Sequence, residues 1–164
     1  MGTVRSIGVR VKSASVVNYA ILERGDVGEI AVIDIAHLSV PLALEIPERL
    51  SFVRNTFLDI LIEYDVSSAA IRIPESSRFR VRNTTVERYF LEGVLQECLA
   101  SSMVNRFVVA RGASLATFAG WSAGQFKVLC EAASAPSGLG EAVDWPALSI
   151  EGKESLVAAY AAVS

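Results

Sequence analysis

The sequence has few of the residues that most often build metal sites and nucleophilic sites. Its 164 residues include one histidine, His37, and two cysteines, Cys98 and Cys130. A single histidine at the end of a predicted strand excludes, in practice, a Ser-His-Asp triad and a histidine-rich metal site. Each cysteine lies in an apolar helical pattern, so we expect two buried thiols rather than ligands or nucleophiles.

Long uninterrupted apolar runs are also missing. Although 52% of the residues are hydrophobic, charged residues interrupt every apolar stretch before it approaches the roughly 18 residues that span a membrane. The chain opens directly into a strand pattern, without an apolar leader. These features predict a soluble, cytoplasmic protein without a membrane partner. The length and the apolar content predict one domain over residues 1–164 with a sizeable core.

Positive charge is present but unevenly distributed. The net charge of −3 argues against a protein that coats nucleic acid non-specifically, but it does not exclude a local basic surface. Arg78, Arg80 and Arg82 alternate along the chain, and an extended backbone would place all three on one face, where they suit phosphate groups. A solvated arginine loop is the alternative interpretation.

The apolar patterns predict an α/β protein. Three Val- and Ile-rich strands are expected over about 4–11, 14–22 and 29–35, with turn signals at 12–13 and 25–28. A helix from Pro47 to about Tyr64 and a buried strand over 67–73 follow. Thr84 or Thr85 is expected to cap the next helix, whose apolar residues are Val86, Phe90, Val94, Cys98 and Leu99. A fifth strand is expected over 106–110, and helical segments are expected around 114–118, 124–132 and 150–162.

Two of these strands carry an arginine among apolar residues. Alternation along Ile7-Gly8-Val9-Arg10-Val11 places Arg10 on the face opposite to Ile7 and Val9. Arg72 interrupts Ile71-Arg72-Ile73 in the same way. A buried guanidinium without a partner costs several kcal/mol, on the order known for unpaired buried ions, so each arginine needs an anionic partner or a path to solvent.

The order of these elements resembles the ribonuclease H-like superfamily and, within it, the RuvC-type Holliday-junction resolvases. Three segments support the resemblance: residues 7–13, residues 69–75, and residues 119–127 leading to 150–159. The resemblance covers nearly the whole chain. It implies a mixed five-stranded sheet, formed by an antiparallel meander and then parallel strands, and flanked by helices.

The resemblance also indicates where a catalytic site would lie. Family members hydrolyse phosphodiesters with two divalent cations held by carboxylates. It places the first aspartate of the family at Arg10, the glutamate at Arg72, and the final acidic pair at Glu151 and Glu154. A guanidinium offers only donors and cannot ligate a metal. The resemblance therefore implies an Arg–Glu ion-pair cluster without catalytic residues, metal or cofactor.

A nuclease-inactive binding module is the function that follows from this interpretation, with Lys12, Arg78, Arg80 and Arg82 as nucleic-acid contacts. Branched or single-stranded nucleic acid and a partner protein are the expected classes of ligand, and the resemblance adds a homodimer. One alternative is a structure-selective endonuclease that uses Mg²⁺ and a shifted carboxylate cluster. Asp34, Glu75 and Asp144 would supply its ligands. The other alternative is a purely structural or oligomerisation subunit.

Overall fold

A five-stranded mixed sheet forms the centre of the fold, with the strand order β3-β2-β1-β4-β5. The structure is a computed structural model and describes residues 2–75, 81–139 and 142–164. The first three strands form the antiparallel meander β1 (Val4–Ser13), β2 (Val16–Arg24) and β3 (Ile30–Ser39). The strands β4 (Ser68–Arg72) and β5 (Arg106–Ala110) continue the sheet parallel to β1. The predicted sheet is confirmed.

Helices cover both faces of this sheet. The helices α1 (Ile46–Glu63) and α2 (Asn83–Ala100) pack on the face that carries Ile7, Val9 and Val11. The opposite face is covered by α3 (Gly112–Phe118), α4 (Gln125–Glu131) and α5 (Ile150–Val163). A short 3-10 turn, Trp145–Ala147, precedes α5. None of the helices within the described ranges is long and apolar enough to cross a membrane.

The helix α5 packs closely against β1, and Gly8 makes this approach possible. A Cβ atom on Gly8 would lie 1.9 Å from the carbonyl oxygen of Ser155 and 2.2 Å from the amide nitrogen of Ala159. Only glycine permits this approach, because both of the opposing atoms belong to the helix backbone. The Ser6 hydroxyl donates a 2.8 Å hydrogen bond to the carbonyl of Ala159. The helix is thereby fixed along the strand that carries Arg10.

Two local predictions differ from the structure. The turn between β1 and β2 lies at residues 14–15 rather than 12–13, and β1 extends through Ser13 with a register shift after Val11. Lys12 therefore lies in a strand, at a bulge, with an exposed side chain. At the start of α2 the N-cap position is occupied by Arg82, not by Thr84 or Thr85, and no side chain caps the helix. A threonine hydroxyl caps only from the residue that precedes the first helical turn, and here both threonines lie within that turn.

Candidate functional site

Two arginines lie side by side near the carboxyl ends of the central parallel strands. Arg10 of β1 and Arg72 of β4 are direct partners in the parallel register. Their side chains share the sheet face that α5 covers, because neighbouring parallel strands in register present paired residues to the same face. Arg72 is the last residue of its strand and is 8% exposed. The sheet therefore concentrates two positive charges where its strands end.

Glu154 of α5 contacts the first of these arginines. Its Oε2 atom lies 2.5 Å from Nε of Arg10, and the two side chains are 15% and 13% exposed. The ion pair is nearly buried, so solvent screens it much less than an ion pair on the surface. Nη1 of Arg10 is buried and has no hydrogen-bond partner among the described residues. Glu154 thus satisfies only part of the guanidinium.

Arg72 is held less completely. Its Nη2 atom lies 3.2 Å from Oε1 of Glu75, a side chain that is 64% exposed, and its guanidinium carbon lies 5.7 Å from the centre of the Phe126 ring. Nε and Nη1 are buried and have no hydrogen-bond partner in the described part of the chain. Burial lowers the pKa of this guanidinium, Glu154 and Glu75 oppose that shift, and the like charge of Arg10 adds to it. Since arginine stays protonated in proteins, a cation with unused donors remains.

A buried glutamate that the sequence analysis did not identify lies on α2, the helix that packs on the other face of the sheet. Glu92 of α2 is 5% exposed, and its Oε1 atom lies 3.8 Å from Nε of Arg88. Burial raises the pKa of this carboxyl group, whereas the charges of Arg88 and Arg10 lower it. Of the apolar residues predicted to face the core from α2, Cys98 and Leu99 are fully buried, whereas Phe90 is 43% exposed. The i, i+4, i+8 series Leu91, Leu95 and Leu99 was the available signal that Glu92 faces inward.

The remaining predicted site residues lie apart from this cluster or cannot be described. Glu151 precedes Glu154 by one helical turn and forms no ion pair with a described residue. Lys12 and Arg82 are exposed. Arg78 and Arg80 lie outside the described residues. Of the four predicted cluster residues, Arg10 and Glu154 form an ion pair and Arg72 lies beside Arg10, whereas Glu151 is not part of the ion-pair cluster.

The acids named for a shifted metal site do not converge. Asp34 on β3 accepts a 2.7 Å hydrogen bond from the Tyr64 hydroxyl, and Glu75 contacts Arg72. Asp144 is exposed before the 3-10 turn. Within residues 2–75, 81–139 and 142–164, no group of three or more His, Cys, Asp or Glu side chains lies close enough to hold a metal ion. Carboxylate ligands for a hard cation are thus not assembled in this part of the chain.

A cavity of about 440 Å³ opens beside Arg72, between α3, α4 and α5. Its lining combines charged and apolar groups: Arg72, Glu75, Phe126, Lys127, Cys130 and Glu154. Burial raises the pKa of the Cys130 thiol to about 12, so this thiol is protonated at neutral pH. Among the described residues that line it, Arg72 has two buried nitrogens without a hydrogen-bond partner.

The strand order, the parallel pair β1 and β4, and the helix that crosses them define a ribonuclease H-like fold, as the sequence predicts. No protein-family model matches the sequence, and no curated protein matches it. Solved structures do match. The RuvC of Thermus thermophilus in complex with Holliday junction substrate has a TM-score of 0.63 at 9% identity, over 96% of this chain and 91% of that chain. The yeast mitochondrial Holliday junction resolvase Ydc2 has a TM-score of 0.62 at 10% identity, over 99% and 80%. At these identities the likeness shows the fold.

Proposed function

We propose that this chain is a single RuvC-like domain over residues 1–164 that binds nucleic acid without cleaving it. The observation that carries the proposal is the pairing of Arg10 with Arg72 near the carboxyl ends of the parallel strands, with Glu154 bound to Arg10. In this proposal the two arginines stand where a RuvC-type nuclease has its first two acids. An Arg–Glu ion-pair cluster replaces the metal site.

Electrostatics supports the loss of metal-dependent activity. A divalent cation about 5 Å from one guanidinium is repelled by roughly 7 kcal/mol at an effective dielectric constant near 20. Two guanidiniums lie at this position, and the carboxylate of Glu154 is already engaged by Arg10. The carboxylate of Glu154 therefore attracts a divalent cation less strongly than the two guanidiniums repel it. The same charges favour an anion.

A phosphate-binding surface is supported at the start of α2. A cavity of about 380 Å³ brings Lys12, at the end of β1, close to Thr84, Thr85 and Arg88. No side chain of the described residues caps the N-terminus of this 18-residue helix, and the helix dipole places a partial positive charge there, which favours phosphate. Arg82 is exposed directly before it. The RuvC structure bound to Holliday junction substrate makes branched DNA the first ligand to test.

A salt titration tests this function. A four-way junction and a single strand are titrated with the protein at several salt concentrations, and the slope of log K against log salt is compared between variants. We expect Lys12→Glu and Arg82→Glu each to weaken binding and to reduce the magnitude of this slope by about 1, which corresponds to the loss of one phosphate contact. Arg24→Glu, at the opposite end of the β1–β2 pair, is the control and leaves the slope unchanged. Absence of binding at low salt refutes the proposal.

A cleavage assay tests the inactive state. The same junction, a single strand and RNA are incubated with Mg²⁺ or Mn²⁺, and no turnover is expected. Metal-dependent cleavage that disappears in Glu154→Ala would establish the endonuclease with a shifted carboxylate cluster and overturn the proposal.

A protein-interaction function is the second candidate, and one observation favours it. Tyr89 and Phe90 of α2 are 48% and 43% exposed, and neither lies in the two core clusters. Gly93, one turn further, has open space where a Cβ would lie, so another helix can approach closely here. A second copy of the chain is the partner that the RuvC-like fold suggests. Light scattering tests it: Phe90→Ser should convert a dimer to a monomer, and a monomeric wild type removes this candidate.

A further inference from the structure

The guanidinium of Arg72 has a partly filled hydrogen-bonding fork. Arginine binds a two-oxygen anion through two neighbouring nitrogens, either Nε with Nη2 or Nη1 with Nη2. In this structure Glu75 takes Nη2 alone, at 3.2 Å, and Nε and Nη1 have no partner among the described residues. Each of these two nitrogen pairs therefore includes one nitrogen that has no partner among the described residues. The side chain is 9% exposed, so bulk water does not satisfy these groups either.

Glu75 is bound only weakly to the guanidinium of Arg72. Its side chain is 64% exposed, and it lies three residues after Arg72, beyond the end of β4. An exposed carboxylate that makes one contact with an arginine is easily exchanged, since water competes for it. Glu154, the other acid near Arg72, is bound to Arg10 through Oε2. A stronger anion needs to displace only Glu75.

The cavity provides the space for such an anion. Its volume of about 440 Å³ exceeds that of a phosphate group, and Arg72 and Lys127 both line it. Lys127 lies 3.8 Å from Glu131 and is 78% exposed, so its ammonium group is free to turn towards a ligand. Gly112 and Gly124 also line this cavity and carry no side chains that would narrow it.

We propose that this cavity binds a phosphoryl group, with two phosphoryl oxygens taking Nη2 and a neighbouring nitrogen of Arg72 in place of Glu75. Phosphate fits better than a carboxylate because its tetrahedral oxygens leave further acceptors for Lys127. This site deepens the proposed nucleic-acid-binding function and rests on it, since a phosphodiester is the first source of the group. A nucleoside monophosphate or free phosphate offers the same chemistry.

Calorimetric titration of the full chain tests the site with three probes: a short single-stranded oligonucleotide, adenosine monophosphate and inorganic phosphate. Arg72→Lys keeps the charge but removes the fork, and we expect about tenfold weaker binding. Glu75→Gln removes the competing carboxylate, and we expect several-fold tighter binding. Arg54→Lys, in an exposed ion pair with Glu97 on the other face of the sheet, is the matched control and should change nothing.

The outcomes separate this site from the function on which it rests. Tighter binding of any of the three probes in Glu75→Gln supports the site, and the probe that binds best identifies the source. If no probe binds at millimolar concentration, or if Glu75→Gln leaves the affinity unchanged, the site is refuted. Because Glu75 is exposed, its variant folds and decides the question even if Arg72→Lys does not fold. Junction binding with a steep salt slope that both variants leave intact keeps the proposed function and removes this site. Phosphate binding without any oligonucleotide binding keeps this site and removes the proposed nucleic-acid-binding function.

Discussion

Replacing Glu154 by glutamine tests the central ion pair directly. The amide is close in shape to the carboxylate and accepts a hydrogen bond from Nε of Arg10, but it has no charge. Removing one partner of a buried ion pair costs about 3–5 kcal/mol, and a retained neutral hydrogen bond returns about 1 kcal/mol. Because the two side chains are 13% and 15% exposed, we expect a loss of about 2–4 kcal/mol in the free energy of unfolding. For a chain of this length that lowers the Tm by roughly 10 °C.

Urea unfolding followed by circular dichroism measures this loss, and two further variants show whether its cause is the unpaired charge. Glu97→Gln removes an exposed carboxylate from Arg54 and should leave the urea midpoint nearly unchanged. Adding Arg10→Met to Glu154→Gln removes the unpaired cation, so the double variant should be more stable than Glu154→Gln alone. The reasoning is refuted if Glu154→Gln unfolds at the same urea concentration as Glu97→Gln, or if Arg10→Met destabilises it further.

Three other predictions concern parts of the fold around the site. Gly8→Ala should cost about 3 kcal/mol in urea unfolding, because its Cβ would lie 1.9 Å and 2.2 Å from backbone atoms of α5. Gly93→Ala, at an exposed position within α2, should not destabilise the chain; a Gly8→Ala midpoint no lower than that of the wild type would contradict the close packing. A hydrogen bond to Asp34 raises the pKa of Tyr64 from 10.0 to about 12. Because the folded state then holds the proton more tightly than the unfolded state, the stabilisation is complete below pH 10 and is lost as the pH rises to about 12. Ultraviolet titration should show a late-ionising tyrosine that is missing in Tyr64→Phe, and an unchanged titration curve would refute the assignment. Burial raises the pKa of the Cys98 thiol to about 11 and that of Cys130 to about 12. A thiol reagent at pH 8 should therefore label both cysteines only after unfolding, and rapid labelling of the folded chain would be inconsistent with this packing.

Local patterns were sufficient for most of the fold. The strand 106–110 and the start of the last helix at Ile150 agree with the sequence prediction. Alternation along β1 correctly placed Arg10 opposite Ile7 and Val9. These features are predictable because side chains alternate along a strand whatever lies beyond it. The turn after β1 was displaced, because a bulge at residues 11–13 depends on pairing with β2 and leaves no clear signal in the strand itself.

Contacts between elements had to come from the tertiary structure. The sequence offers Glu151 and Glu154 equally, but the packing of Ser155 and Ala159 against Gly8 brings Glu154 level with Arg10 and leaves Glu151 about 4.5 Å further along the helix axis. Glu92 is buried because α2 packs on the sheet through Leu91 and Leu95.

The sequence by itself determined that two arginines lie within core strands and that acids follow in the last helix. The tertiary structure decided which acid contacts which arginine, and it left two nitrogens of Arg72 without a partner in the described chain. The physical reason is that alternation along a strand is a local property of the backbone. The partner of a buried charge depends instead on how far one helix slides along one strand, and close packing at Gly8 fixes that position.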